Sequence, residues 1–137
     1  MRATVLGALA AMMLALPASA QSLDGTYAGF IMCDAISTKY PKPLRGPFKM
    51  MISGGKVTYE RQIFSPTGQP TGFFERGGGS INPSGTITLA GKAQVSDGGA
   101  TTSYTGTIAG GVARLSGTQN WTKTGDRKCT IEAKLGP

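Results

Sequence analysis

The stretch Phe48 to Phe64, FKMMISGGKVTYERQIF, sets the folding rule for the rest of the chain. Phe48, Met50 and Ile52 alternate with residues suited to an opposite face. Gly54-Gly55 then tolerates the positive φ of a tight turn, and Val57 and Tyr59 resume the alternation. This is strand, two-residue turn, strand. The pattern returns as SIN-PSG-TITLAG and again as SYTGTIA-GG-VARLSG. A chain that repeats one hairpin in this way folds as an antiparallel meander.

Residues 1–20 stand apart from that pattern. Arg2 supplies a positive start, Ala3 to Leu16 form an apolar run too short to span a bilayer, and Ala18-Ser19-Ala20 matches a small-x-small cleavage site. A cleaved secretory signal peptide is expected over 1–20 and a single domain over 21–137. Position 21 is Gln, not the Cys that a lipid anchor requires. The expected location is secreted or periplasmic, with no transmembrane segment after cleavage.

The domain is lean. Fewer than a fifth of the residues after position 20 are Leu, Ile, Val or Phe, just under the ~20% at which disorder threatens a highly charged chain. The formal charge is only +7 and the apolar residues are patterned, so a folded domain with a thin core is expected. Cys33 and Cys129 are the two cysteines, and there is no histidine. Neither a metal site nor a Cys–His nucleophile can be assembled from that set. A structural disulfide is the expectation in an exported protein. It would close a loop of almost the whole domain, which a chain-entropy estimate values at about 4–5 kcal/mol for ~100 residues.

Eight strands and no helix follow from the alternation. The first runs from Gly25 to Cys33 with Tyr27, Gly29, Ile31 and Cys33 on one face, and the Phe48–Phe64 hairpin supplies the next two. The others are placed at Phe73–Ile81, Thr86–Val95, Thr102–Ala109, Val112–Trp121 and Lys128–Leu135, separated by Asn82-Pro83-Ser84-Gly85, SDGGA and Gly110-Gly111 turns. A meander this long stacks into two sheets or closes on itself. In an up-and-down barrel the first and last strands are antiparallel neighbours, so Cys33 and Cys129 meet on the inward face. The expected fold is therefore an all-β, eight-stranded meander barrel closed by one disulfide. If residues whose numbers sum to 136 face each other, Glu60 meets Arg76 and Arg61 meets Glu75, one pair on each face.

Catalysis has little to work with. Without histidine the commonest general base is missing. Asp24, Asp97 and Asp126 adjoin glycines as turn aspartates do, and Glu60 and Glu75 each adjoin an arginine. A non-enzyme without metal or cofactor is expected. Gly77-Gly78-Gly79-Ser80 precedes strand rather than helix, which favours a bend over a phosphate cradle. The basic residues are dispersed and do not interleave with aromatics, which argues against nucleic acid as a partner.

Two binding modes remain. The connection Asp34–Gly46 is long for a meander and carries Lys39, Tyr40, Lys42 and Arg45, stiffened by Pro41 and Pro43. A second cluster, Lys123, Arg127 and Lys128, precedes the last strand and falls at the same end of the barrel. These two basic segments form a candidate rim for an anionic macromolecule, an envelope glycan or a protein, bound by a monomer and in one version inhibited by it. The alternative is a small-ligand carrier with its site inside or at the mouth of the barrel, lined by Tyr27, Tyr59, Tyr104 and Trp121, with Gly29, Gly79 and Gly106 leaving space. Few polar groups are expected on the inward faces, which places the macromolecular partner ahead. The architecture is similar to avidin-like and lipocalin-like carriers and to bacterial inhibitors of secreted proteases or of lysozyme. The likeness is one of fold, and Gly25-Thr26-Tyr27 stands where a lipocalin has Gly-x-Trp. A lysozyme inhibitor is disfavoured by charge, since lysozymes are commonly cationic.

Overall fold

A computed structural model describes residues 22–36, 41–65, 67–96 and 98–137. The expected signal peptide lies outside them, as do Lys39 and Tyr40. Eight strands follow one another: β1 (Gly25–Cys33), β2 (Leu44–Ser53), β3 (Lys56–Phe64), β4 (Pro70–Ile81), β5 (Thr86–Val95), β6 (Gly98–Ala109), β7 (Val112–Trp121) and β8 (Gly125–Leu135). Each pairs antiparallel with the next, and β8 returns to pair with β1, closing the barrel. Glu60 faces Arg76 and Arg61 faces Glu75 in the β3–β4 ladder, as the hairpin register requires. Cys33 and Cys129 are direct partners across the β1–β8 seam and are joined by a disulfide, with Cα atoms 4.0 Å apart. A bridge of this kind is compatible with an oxidising compartment.

The two ends of the barrel differ. One is closed by the turns Gly54-Gly55, 82–85 and Gly110-Gly111. Both glycines of each Gly-Gly turn have positive φ, between 57° and 79°, which only glycine adopts without strain. In the 82–85 turn Asn82 Oδ1 accepts from the Thr86 amide at 2.9 Å. The segment before β1 caps this end: Leu23 packs on the core, its carbonyl accepts from the Tyr27 hydroxyl at 3.0 Å, and Asp24 Oδ1 accepts from the Gly54 amide at 3.0 Å. Above the cap, alternate residues fill the lower interior, among them Tyr27, Phe48, Met50, Ile87, Leu89 and Ile131. The inward glycines 29 and 79 leave no space. A Cβ on either would stand 1.9 Å from Glu132 O or 1.8 Å from Thr88 O, so these positions serve close approach of neighbouring strands.

At the other end the strands run further than the alternation indicated. β2 begins at Leu44 rather than Phe48, β4 at Pro70 rather than Phe73, β6 at Gly98 rather than Thr102, and β8 at Gly125 rather than Lys128. Arg45 and Arg127 therefore belong to strands and not to loops, and Lys128 lies inside β8 rather than at its start. The Gly-, Pro- and Lys-rich ends have poor intrinsic β-propensity, but pairing to a neighbour decides. Pro47 is admitted because its only ladder partner is Phe30 of β1, the β2–β3 ladder beginning at Lys49. Gly77-Gly78-Gly79 lies within β4, inside the span Phe73–Ile81 expected for that strand.

Candidate functional site

Above the packed half, the inward positions turn polar. On β3 the alternation Val57, Tyr59, Arg61 puts a guanidinium inside, and the paired register puts Glu75 of β4 opposite it. Both side chains are buried, and Arg61 Nε donates to Glu75 Oε1 at 2.8 Å. Glu75 collects three more partners. Tyr59 donates to Oε2 at 2.7 Å, Tyr104 donates to Oε2 at 3.0 Å, and Gln119 Nε2 donates to Oε1 at 3.2 Å. Because Tyr59 spends its only proton on Glu75, Thr102 Oγ1 must be the donor in their 2.8 Å contact. Gln119 Nε2 also donates to the Tyr104 hydroxyl at 2.9 Å, while its Oε1 accepts from Trp121 Nε1 at 3.0 Å and from Arg127 Nε at 2.8 Å. All four hydrogen-bonding capacities of that amide are used, and the donors on either side fix which way it points.

The network fits because glycines make room for it. A Cβ on Gly91 would lie 2.1 Å from the Tyr59 hydroxyl, and one on Gly77 would lie 2.6 Å from the edge of its ring. Tyr59 stacks tilted on Phe48 at 5.2 Å and edge-on to Tyr104 at 6.1 Å, so its ring belongs to the core while its hydroxyl belongs to the polar layer. Burial, and then the Glu75 charge, push the ionisation of Tyr59 and Tyr104 well above the ordinary tyrosine value. Burial also holds the Arg127 guanidinium down to about 10, and the positive charge of Arg61 acts in the same direction.

Directly above this layer the barrel is hollow. A cavity of about 700 Å³ opens at the mouth, in the size range of small-molecule sites. Its apolar wall includes Ile63, Phe64, Phe73, Val95 and Trp121, with Ile36, Pro41, Pro43 and Leu44 from the β1–β2 side. Lys42, Lys123 and Arg127 also line it, and among the described residues no aspartate or glutamate does. The Arg127 guanidinium stands 5.8 Å from the Trp121 ring centre.

The residues singled out in the sequence divide among these regions. Of the barrel-lining set, Tyr27, Tyr59 and Tyr104 point inward but lie within the packed core, and Trp121 alone borders the cavity. Of the rim set, Lys42, Lys123 and Arg127 converge on the cavity. Arg45 faces outward with its guanidinium 4.1 Å over Phe30, and Lys128 is exposed on the outer face of β8. The expectation of few inward polar groups fails, since Arg61, Glu75, Thr102, Gln119 and Arg127 all point inward. Each sits in phase with an apolar inward neighbour: Arg61 with Tyr59, Gln119 with Leu115 and Arg127 with Cys129. That phase was the available signal. Gly106 leaves no more room than Gly29 does, a Cβ there standing 1.9 Å from Arg114 O.

Comparison with known proteins finds no match to a family model, a curated protein or a solved structure at a significant level.

Proposed function

We propose that this is an exported binding protein that holds one small amphipathic ligand in the mouth of its barrel. The observation that carries the proposal is the division of the interior, with a packed and capped lower half, a hydrogen-bonded polar layer, and a cavity of about 700 Å³ with apolar walls above it. A barrel needed only as a rigid platform for its loops gains nothing from a hollow half, since unfilled volume costs stability. The rim cations also favour a small ligand. Among the described residues, those expected to meet a macromolecule do not form one outward patch, and three of them line the cavity.

Trp121 is the only tryptophan and borders the cavity, so occupancy has a built-in reporter. Titration with the neutral fluorophore N-phenylnaphthylamine should change Trp121 emission saturably, at one probe per chain. Native mass spectrometry of protein taken gently from its own host should show a discrete extra mass that leaves on activation. An apo protein that also fails to bind the probe, yet cross-links to an envelope protein or glycan, would overturn the proposal in favour of the basic-rim partner.

A further inference from the structure

The polar layer under the cavity is not electrically balanced. Arg61 and Arg127 bring two positive charges to it and Glu75 brings one negative charge. Glu75 cannot take on more, because both its oxygens already accept from Arg61, Tyr59, Tyr104 and Gln119. Gln119 offers Arg127 a neutral acceptor and is itself used up. Among the described residues, no carboxylate lies within ion-pair distance of Arg127. The layer has a second deficit: Arg61 Nη2 is buried and has no hydrogen-bond partner among the described residues. An unmatched donor on a buried cation is a costly feature that a fold keeps only where something else repays it. Arg61 is the inward residue immediately below Ile63, and Glu75 the one below Phe73, both of which line the cavity. The unspent charge of Arg127 thus faces the cavity, and the unspent donor of Arg61 lies buried beneath the residues that line it. Lys42 and Lys123 add positive potential higher on its wall, which would raise the local concentration of an anion.

We propose that the cavity takes an amphipathic monocarboxylate, its carboxylate seated on the floor against Arg127 and above Arg61, its apolar body against Ile63, Phe73, Val95 and Trp121. This rests on the cavity being the binding site, as argued above. One excess charge on the floor matches a monoanion. A guanidinium is a planar fork of donors that fits the two oxygens of a carboxylate. The depressed ionisation of Arg127 agrees with this placement: a partly desolvated cation beside another cation is stabilised by an incoming anion.

The test uses the oxidised protein and three probes with the same tail, namely decanoate, decanol and decyl phosphate, each displacing N-phenylnaphthylamine. Decanoate should bind about tenfold or more tighter than decanol, the range expected of a charge-assisted hydrogen bond. In Arg127→Met the decanoate affinity should fall to that of decanol. In Lys49→Met, which removes an equal charge from the exposed outer face of β2, decanoate should keep its advantage. Equal binding of decanoate and decanol would overturn the carboxylate inference and leave the cavity proposal standing. A clear preference for decyl phosphate would overturn it in favour of a phosphate head group. Failure of all three, with no N-phenylnaphthylamine binding to displace, would overturn both proposals. Arg61→Met risks unfolding the layer, so the conclusion is drawn from the wild-type ratio and from Arg127.

Discussion

Glu75 and Glu60 are the same residue type in the same hairpin ladder, yet they carry opposite weight. Glu60 pairs with Arg76 on the outer face, where more than half of each side chain is exposed, and such pairs contribute about 0–1 kcal/mol. Glu75 is fully buried and is the acceptor on which Arg61, Tyr59, Tyr104 and Gln119 converge. Glu75→Gln leaves the Arg61 charge buried without a counter-ion and should cost about 3–5 kcal/mol. Glu60→Gln should cost under about 1 kcal/mol, both read from urea midpoints. A Glu75→Gln protein as stable as wild type would remove the network from any account of the fold. The tyrosines give a second prediction, whose sign is fixed by their shifts. Tyr59 and Tyr104 ionise above the ordinary value of about 10 in the fold, so the stability they add is present below pH ~10 and is lost as pH rises beyond it. Arg127 works in the opposite direction. Burial holds its folded value down to about 10, below the ordinary arginine value, so its burial cost is present below pH ~10 and is relieved above it. Two losses against one gain make the barrel weaken at alkaline pH. Tyrosinate absorbance from these two residues should appear together with loss of the β circular-dichroism signal. Full tyrosine ionisation in a still-folded protein would contradict the buried network. The pairing of these charges was legible, because the turn between Glu60-Arg61 and Glu75-Arg76 sets the register by arithmetic. Their role was not. Alternation shows that Arg61 shares a face with Val57 and Tyr59, but that Thr102, Tyr104, Gln119 and Arg127 extend the polar layer around it depends on β6, β7 and β8.

At the scale of strands, one ladder is shorter than its neighbours. β1 and β2 share nine pairs, from Gly25–Ile52 to Cys33–Leu44, whereas β2 and β3 share five, ending at Lys49–Glu60. Beyond that point Arg61 to Phe64 pair only towards β4, through an irregularity between Gln62 and Phe64, and Leu44 to Phe48 pair only towards β1. The wall between β2 and β3 therefore parts at the mouth, where Leu44, Ile63 and Phe64 line the cavity. A segment held on one side opens more readily than one held on both. Native-state hydrogen exchange should show residues 61–64 exchanging faster than residues 56–60 of the same strand, and binding of the cavity ligand should narrow the difference. Equal protection along β3 would mean that the mouth is as rigid as the packed end. Sequence periodicity located β1, β5 and β7 to the residue, because each is bounded by turn residues at both ends. It stopped short at the mouth ends of β2, β4, β6 and β8, where Leu44-Arg45-Gly46-Pro47 and Gly125-Asp126-Arg127 carry loop-like composition. Those segments are strands because a partner strand is already in place, and local sequence holds no record of that partner. The cavity was illegible for a related reason: Ile63, Phe73, Val95 and Trp121 end strands that the sequence placed, and it is the closed barrel that brings them together with Leu44 and Arg127.

The whole molecule depends on one seam. Seven of its pairs, from Tyr27–Leu135 to Cys33–Cys129, join the first strand to the last and turn a curled meander into a barrel without edges. Every other ladder joins strands adjacent in sequence, so the seam is the contact with the greatest loop-closure cost and the last expected to form. The disulfide spans 96 residues and lies at the mouth end of the seam, two residues along β8 from Arg127. It removes closure entropy from the unfolded chain, and it also fixes β8 where Arg127 must reach Gln119. Cys33→Ala with Cys129→Ala should therefore lower stability by about 4 kcal/mol, read as a fall in the urea midpoint that wild type reproduces under dithiothreitol. The loss should not be uniform. The lower half keeps its core and the Leu23 cap, so exchange protection should fall most in Ile31 to Cys33 and in Arg127 to Cys129. If the doubly substituted protein keeps its midpoint, the seam is held by its ladder and inward apolar residues alone. If the midpoint falls while protection drops evenly along β1 and β8, the bridge acts on the unfolded chain alone and leaves the mouth unaffected.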